Sequence, residues 1–521
     1  MATKDQNPAG GSSSASYILA LDQGTSSSRA LLFDANAQLL AVGQQDFDCA
    51  YPDDGWVEQD PEVLWETTLA AGRRAIASAA IEPGEIAAIG ITNQRETTLV
   101  WDAATRRAIY PAIVWQDRRT ADRCVALKAR WDEGELARRT GLRFDPYFTG
   151  TKLAWILDHC TGARDRAAAG ELRAGTVDSF LIDRLTLGQR HVTDATNASR
   201  TLLFNLENQA WDPELCEQLD VPMALLPEVL DCAADFGTAD PQWFGAPIPI
   251  RGVAGDQHAA LIGQACFEPG MSKCTFGTGC FALTHRGDDF VPSQQGLLST
   301  LAYRLDGVPS YATEGSVFVA GVAVKWLRDK LGIIASAADT EAAAQRTNGD
   351  TGGVVVVPAF TGLGAPYWDP AARGLITGLT LDTHADQLVT ATLKAVAFQA
   401  ADLTQAMTAD GARLSELRID GGMVVNDWFC QTLADLTGFP VTRPELVETT
   451  ALGAAMLAAV GQGLFPGLAA AAGLWRQDRR FDPKLTAAER AGELDRWQQA
   501  VERARGDLAA VDQRAPSSGD V

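Results

Sequence analysis

Residue types that bind phosphate are concentrated near the start of the chain. An apolar run ends at Asp22 and Gly24, and a group of hydroxyls and one cation follows. These side chains are Thr25, Ser26, Ser27 and Arg29. Glycine lets backbone N–H groups turn toward a ligand, while hydroxyls and arginine add donors and positive charge. A carboxylate at a strand end can hold a hydrated Mg²⁺. The stretch therefore predicts a triphosphate site, with Asp22 positioning the metal ion.

The same stretch would also suit a β-turn whose hydroxyl groups merely face water, because hydroxyl-rich turns are common. It is not a P-loop, since the Gly-x-x-x-x-Gly-Lys-Ser/Thr pattern is absent. Residues 271–283 favour binding, because they repeat the order of apolar strand, glycine turn and apolar strand around Thr278. Two such hairpins in one chain indicate two related halves that face each other across a nucleotide.

A second group of polar residues follows buried strands, where α/β folds build ligand sites. Arg95 and Glu96 come shortly after the apolar run 86–91 and could bind hydroxyl groups. The alternative is a solvated ion pair. Asp256 follows a strand and a glycine turn, so it is either a general base in a cleft or a helix N-cap. His258 is predicted to be structural.

Three further elements could line a ligand pocket. Trp115 could form an apolar wall, or it could simply pack in the core. Tyr147 lies beside a proline turn that leads into an amphipathic helix. Gly421 and Gly422 permit close backbone approach, which suits adenine and ribose, and Asn426 offers side-chain hydrogen bonds.

Length and composition limit the class of protein. The 521 residues predict two large domains, and 46% hydrophobic with 21% charged residues is typical of a soluble globular chain. The net charge of -22 argues against nucleic acid or an anionic membrane as partner. Nine cysteines without a Cys-x-x-Cys pair predict reduced cytosolic thiols. Residues 451–474 contain five glycines and a proline, so we expect two helices and a turn, with no membrane insertion.

Taken together, the motifs resemble the FGGY carbohydrate kinase family of the actin-like ATPase superfold, over roughly residues 17–505. The stretches that carry the resemblance are residues 21–30, 90–98, 146–152, 255–257, 276–281 and 360–369. Residues 90–98 together with 146–152 are similar to the members that phosphorylate glycerol rather than to those that act on pentuloses or gluconate.

The resemblance implies an α/β fold of two actin-like (ribonuclease H-like) ATPase domains with a cleft between them. We expect an N-terminal domain over residues 16–262 and a C-terminal domain over residues 263–505, with disordered tails at 1–15 and 506–521. The implied activity is ATP-dependent phosphorylation of glycerol to sn-glycerol 3-phosphate by direct in-line transfer, the entry step of glycerol catabolism. The implied cofactors are ATP/ADP and Mg²⁺, and the implied assembly is a cytoplasmic homodimer or homotetramer.

The resemblance also implies a role for each site residue. Glycerol would be bound by Arg95, Glu96, Trp115, Tyr147, Asp256, Gln257 and Phe281. The nucleotide would be bound by Thr25, Ser26, Ser27, Arg29, Thr278, Gly321, Lys325, Gly422 and Asn426. Asp256 would be the general base, and Asp22 would position Mg²⁺. Lys325 and His258 stand where the family usually has glutamine, which leaves the Lys325 contact open.

Two other functions fit parts of the pattern. Another FGGY kinase would act on a pentulose or a short polyol. A non-catalytic ATP-driven clamp or filament of the actin-like superfold would need no cluster of arginine, glutamate, tryptophan and tyrosine, so the sequence counts against it.

Overall fold

Two large mixed β-sheets organise the chain, in a computed structural model that describes residues 16–505. The predicted tails, 1–15 and 506–521, lie outside the described residues. In chain order the strands are β1 (Tyr17–Gln23), β2 (Ser27–Phe33), β3 (Leu39–Asp46), β4 (Glu58–Gln59), β5 (Ile86–Asn93), β6 (Leu99–Asp102), β7 (Ala112–Ile113), β8 (Leu172–Gly175), β9 (Val192–Asp194), β10 (Phe204–Asn205), β11 (Ala210–Trp211), β12 (Glu228–Leu230), β13 (Thr238–Ala239), β14 (Ile248–Gly255), β15 (Met271–Phe276), β16 (Cys280–Gly287), β17 (Leu298–Leu305), β18 (Val308–Val317), β19 (Val355–Val357), β20 (Leu375–Thr377), β21 (Glu416–Asp420), β22 (Val441–Pro444) and β23 (Gln477–Phe481).

Helices of very different length connect these strands. They are α1 (Pro61–Ala79), α2 (Ala121–Lys128), α3 (Glu133–Thr140), α4 (Thr149–His159), α5 (Ala163–Ala168), α6 (Val177–Leu185), α7 (Ala195–Ala198), α8 (Pro213–Gln218), α9 (Pro241–Phe244), α10 (Asp256–Gly263), α11 (Gly321–Asp329), α12 (Asp339–Arg346), α13 (Ala385–Ala409), α14 (Asp427–Thr437), α15 (Thr449–Gly461), α16 (Leu468–Ala471) and α17 (Ala487–Ala504). The helix α1 begins where its sequence predicts, because the Asp60 side chain accepts a hydrogen bond from the Glu62 N–H and Pro61 occupies the first turn.

The two sheets repeat one arrangement. The first has the order β13-β14-β5-β1-β2-β3, in which β1 and β2 form a hairpin and β5 runs parallel to β1. The second has the order β17-β18-β16-β15-β21-β22-β23, in which β15 and β16 form a hairpin and β21 runs parallel to β15. Both predicted glycine turns therefore join the strands of a hairpin that lies inside its sheet. This is the two-domain α/β fold that the sequence predicts.

Apolar side chains explain why these strands lie at the centre. Every residue of β5 is buried, and β1 is buried after its first residue. Strands covered on both faces need such continuous apolar runs. Polar side chains appear where these strands end, at Asp22 and at Arg95 beyond β5, so both reach the same edge of the first sheet.

The helices α10 and α15 cross at a pair of glycines. A Cβ atom on Gly453 would lie 1.8 Å from the Ala259 carbonyl oxygen, and one on Gly263 would lie 1.9 Å from the Thr449 oxygen. The same helix α15 packs on the first sheet, although it follows the second sheet's strand β22 in the chain. The boundary predicted at residues 262–263 falls at the end of α10 and stays a prediction.

Residues 451–474 fold as most of α15, a turn and α16. Among residues 16–505, no helix has the length and apolar character needed to cross a bilayer.

Replacing Gly453 by alanine should destabilise the protein, because the added methyl group meets the Ala259 carbonyl and α15 must move. We expect a loss of about 1–3 kcal/mol in the free energy of unfolding, the usual range for overpacking. Denaturant unfolding of Gly492→Ala is the matched control. Gly492 lies in α17 with open space around its Cβ position, so this change should stabilise by a few tenths to about 1 kcal/mol. Equal changes in the free energy of unfolding for the two substitutions would contradict the close backbone contact between α10 and α15.

Candidate active site

The first hairpin places a carboxylate opposite a cation beside its turn. Asp22 and Arg29 are register partners on β1 and β2, and their side chains lie 3.6 Å apart. Arg29 also contacts Glu448, just before α15, at 2.6 Å. Asp22 is 5% exposed, and burial raises its pKa to about 6 in spite of Arg29. A buried carboxylate so poorly compensated is a suitable ligand for a divalent cation.

The turn between β1 and β2 connects this hairpin to an aromatic residue. The Gly24 N–H donates to the Ser27 carbonyl at 2.9 Å, which closes the turn and leaves Ser26 exposed. The Trp115 indole N–H donates to the Thr25 hydroxyl at 2.9 Å. Trp115 is half-buried, so it is not the simple core residue of the alternative interpretation.

The second hairpin presents Thr278 in the same way. Gly277 donates to the Gly279 carbonyl at 3.0 Å, and Thr278 is exposed at the tip. The first turn of α11 lies against this tip, because the Gly321 N–H donates to the Gly277 carbonyl at 2.9 Å. A Cβ atom on Gly321 would lie 2.6 Å from that same oxygen, so the close approach requires glycine.

Arg95 lies at the floor of the cleft with almost no exposure to solvent. Arg95 and Glu96 are 2% and 1% exposed, so they are not the solvated ion pair of the alternative interpretation. The Arg95 Nε atom lies 3.2 Å from a carboxylate oxygen of Asp256, and its Nη2 donates to the Tyr147 hydroxyl at 3.4 Å. Asp256 and Tyr147, which are far from Arg95 in sequence, therefore both contact its guanidinium.

Glu96 has a backbone conformation that few residues other than glycine adopt, with φ of 57°. Its carbonyl oxygen accepts hydrogen bonds from the Lys152 ammonium at 3.0 Å and the Thr149 hydroxyl at 3.2 Å. Lys152 is fully buried at the start of α4, and burial lowers its pKa to about 7. These donors hold the Glu96 peptide in the strained conformation that directs Arg95 and Glu96 to the floor.

Asp256 is the first residue of α10, and Gly255 is the N-cap. The N-cap alternative for Asp256 is therefore wrong. Its side chain is 32% exposed, and burial raises its pKa although Arg95 and Lys273 act in the opposite direction. The neighbouring Gln257 accepts a hydrogen bond from the fully buried Lys273 of β15. A carboxylate that faces the cleft beside an amide can serve as a base and hydrogen-bond a polyol.

Three aromatic rings form the apolar wall above this floor. The Trp115 ring centroid lies 5.7 Å from that of Tyr147 and 6.2 Å from that of Phe281, both at steep angles. Phe281 belongs to β16 of the second hairpin, whereas Trp115 and Tyr147 come from the first half of the chain. The aromatic wall therefore combines residues from both halves of the chain, and its Trp115 also contacts Thr25 of the first hairpin.

The candidates for adenosine contacts are arranged less tightly. A Cβ atom on Gly321 would lie 4.0 Å from Met423, so α11 and the turn that contains Gly422 are neighbours. Asn426 caps α14, since its side chain accepts from the Phe429 N–H at 2.8 Å. Lys325 is exposed and lines a cavity of about 570 Å³ with Trp326 and Phe360, whose lining does not include Gly422 or Asn426.

Sequence reasoning missed four buried residues that support the site. They are Lys152, Arg200, Lys273 and Glu314. Lys152 and Lys273 lie inside motifs that the sequence singled out, and a lysine within an apolar strand or helix start was a usable signal. Glu314 had no such signal, because it is a single carboxylate in a strand 219 residues from Arg95.

Comparison with known proteins identifies the family. Residues 17–263 match the N-terminal domain of the FGGY family of carbohydrate kinases, and residues 272–462 match its C-terminal domain. A glycerol kinase of Ectopseudomonas mendocina is 56% identical over 492 residues, which cover 94% of this chain and 99% of the relative. Glycerol kinase 1 of Pseudomonas aeruginosa is 57% identical with the same coverage.

Solved structures agree with this match. Plasmodium falciparum glycerol kinase, solved with ADP, has a TM-score of 0.88 at 33% identity and covers 95% of this chain and 99% of its own. A xylulose kinase of Lactobacillus acidophilus has a TM-score of 0.84 at 21% identity, with 96% of this chain and 100% of its own covered, and shows the fold alone. The family predicted from the sequence is confirmed: this chain belongs to the FGGY carbohydrate kinases.

Proposed function

We propose that this kinase phosphorylates glycerol with ATP and forms sn-glycerol 3-phosphate, the entry step of glycerol catabolism. The observation that carries the proposal is the small polar floor of Arg95, Asp256 and Gln257 beneath three aromatic rings. A floor of this kind can bind three adjacent hydroxyls while the rings contact the carbon backbone. The glycerol kinases that are 56% and 57% identical to this chain support the same substrate.

Asp256 is proposed as the general base. Its carboxylate faces the crevice, and it would take the proton of one terminal hydroxyl as that oxygen meets the γ-phosphorus in line. Burial raises the pKa of Asp256, which strengthens it as a base, while Arg95 at 3.2 Å favours its charged form. Closure of the two halves would exclude water from the transfer.

The two hairpins are proposed to hold the nucleotide. Hydroxyl and cationic groups of residues 25–29 would bind the phosphates of ATP from one side, and Thr278 would bind them from the other. Gly321, Gly422 and Asn426 would contact the adenosine. Lys325 would reach it from the adjoining cavity, which Trp326 and Phe360 also line.

Mg²⁺ is proposed to bind at Asp22. The burial of this carboxylate, with Arg29 only at 3.6 Å, fits a site that a cation completes. When bound, the ion would neutralise charge on the phosphates.

We further propose the cytoplasm as the location, supported by the free thiols of all nine cysteines. The homodimer or homotetramer stays a prediction from the resemblance.

The proposed substrate is tested by ADP release with a panel of glycerol, xylulose, gluconate and short diols. We expect the highest kcat/KM for glycerol, and a large loss for diols that lack one hydroxyl, because a buried polar group is then left unpaired. A higher kcat/KM for xylulose would replace the proposal with a pentulose kinase, and ADP release that ignores every polyol would contradict both.

The substitution Asp256→Asn should keep the shape of the site and remove the base. We expect kcat to fall by about 10²–10⁴-fold, while the dissociation constants of glycerol and ATP change little. Steady-state kinetics, glycerol binding followed by tryptophan fluorescence, and Tm should be measured together. A near-normal kcat would remove Asp256 from the base role.

The substitution Asp22→Asn should raise the Mg²⁺ concentration needed for half-maximal activity. When a chelator removes divalent metal ions, Asp22→Asn should be at least as stable as the parent protein, because burial disfavours the ionised Asp22 in the folded state. This advantage is absent near pH 4, grows as the pH rises to about 6, and is constant above it. The exposed Asp54→Asn is the control for charge alone. An unchanged Mg²⁺ requirement would argue against the metal role.

A further inference from the structure

Glu314 reaches from the second sheet to the floor of the proposed glycerol site. It lies on β18 and is fully buried. Its two carboxylate oxygens accept from Arg95 Nη1 at 2.6 Å and from Arg95 Nη2 at 2.9 Å. This two-pronged contact fixes both the position and the plane of a guanidinium.

A second arginine completes the cluster. Arg200 follows α7 and is fully buried; it contacts Glu96 at 2.7 Å and Glu314 at 3.1 Å. Two buried cations, Arg95 and Arg200, thus face two buried anions, Glu96 and Glu314. Burial alone would raise the pKa of Glu314, but the two guanidiniums hold it well below its usual range. Among these four buried groups the charges balance, so removal of the Glu314 charge would leave one positive charge in excess.

The geometry determines which Arg95 donors remain for the cleft. Glu314 binds the two terminal nitrogens of Arg95, Nη1 and Nη2. The remaining nitrogen, Nε, lies 3.2 Å from a carboxylate oxygen of Asp256. If the carboxylate of Glu314 were absent, the guanidinium could rotate toward Asp256 or Glu96, which lies 3.8 Å from Nε. Either rotation would change the donors offered to a polyol.

We propose that Glu314 is a positioning residue, which sets the Arg95 guanidinium for substrate and makes the site complete only when both sheets are docked. Glu314 acts through Arg95, because its carboxylate is held by the guanidiniums of Arg95 and Arg200. The inference rests on the proposed function in one respect, namely that Arg95 binds the hydroxyls of the substrate.

The test compares Glu314→Gln and Glu314→Asp with the parent enzyme. Glutamine keeps the shape and removes the charge, whereas aspartate keeps the charge on a shorter side chain. We expect the KM for glycerol to rise by about 10- to 100-fold in Glu314→Gln and several-fold in Glu314→Asp. The KM for ATP should stay within about twofold in both, since Glu314 contacts Arg95 and Arg200, and neither is proposed to bind the nucleotide.

Asp183→Asn is the matched control for lost stability. Asp183 is a fully buried carboxylate on α6, and its partner is Arg173 on β8. We expect this variant to lower Tm and to leave the KM for glycerol unchanged. If Glu314→Gln behaves in the same way, or if the KM values for glycerol and ATP rise together, Glu314 is only structural and the proposal fails.

Two further outcomes remain decisive. If Glu314→Gln does not fold, Glu314→Asp decides alone, and an unchanged KM for glycerol in that variant overturns the proposal. If the parent enzyme shows no glycerol-dependent ADP release, the proposed substrate fails; the variants are then scored with the preferred substrate of the panel. A selective rise of its KM over that of ATP would still support Glu314.

Discussion

Mutual neutralisation of the buried charges around Arg95 is the constraint on which the site depends. Arg95, Glu96, Arg200 and Glu314 are almost completely removed from solvent. An isolated ion in such surroundings would cost several kcal/mol, so each charge requires its partner at short distance. The loop after β5, the end of α7 and the strand β18 must therefore meet at one place. The arrangement of both sheets around the crevice satisfies that electrostatic requirement.

The backbone conformation of Glu96 also helps to place these charges at the cleft. The left-handed conformation of Glu96 costs on the order of 1–3 kcal/mol at a residue that is not glycine. Lys152 and Thr149 offset part of this cost through the Glu96 carbonyl. The aromatic wall is fixed in a comparable way, because Trp115 is tied to Thr25 of the first hairpin. Floor and wall are thus held in position by contacts that need no substrate, which lowers the ordering cost of binding.

The hairpins with glycine turns and the polar strand ends could be predicted from local sequence, because each is encoded within a few residues, whereas the two-domain fold followed from the resemblance to the FGGY family. Arg95, Asp256 and Thr278 belong to such patterns. The ambiguity of Asp256 between base and N-cap could not be resolved from sequence, since both need a carboxylate before a helix; the structure gives the cap to Gly255. Glu314 was missed for a different reason. Its partner Arg95 is 219 residues away, and no local pattern encodes a contact of that range.

The glycine contact between α10 and α15 has a mechanical consequence. At Gly263 and Gly453 the backbone of each helix lies against the backbone of the other, so a Cβ atom at either position would meet main-chain atoms. Helices that pack through side-chain ridges resist sliding, because the ridges must leave their grooves and change rotamer. The glycine pair has no such ridges to set the spacing, so the two backbones limit the distance between α10 and α15 instead. Because α15 lies in the chain between two strands of the second sheet and packs on the first, this close spacing couples the two sheets.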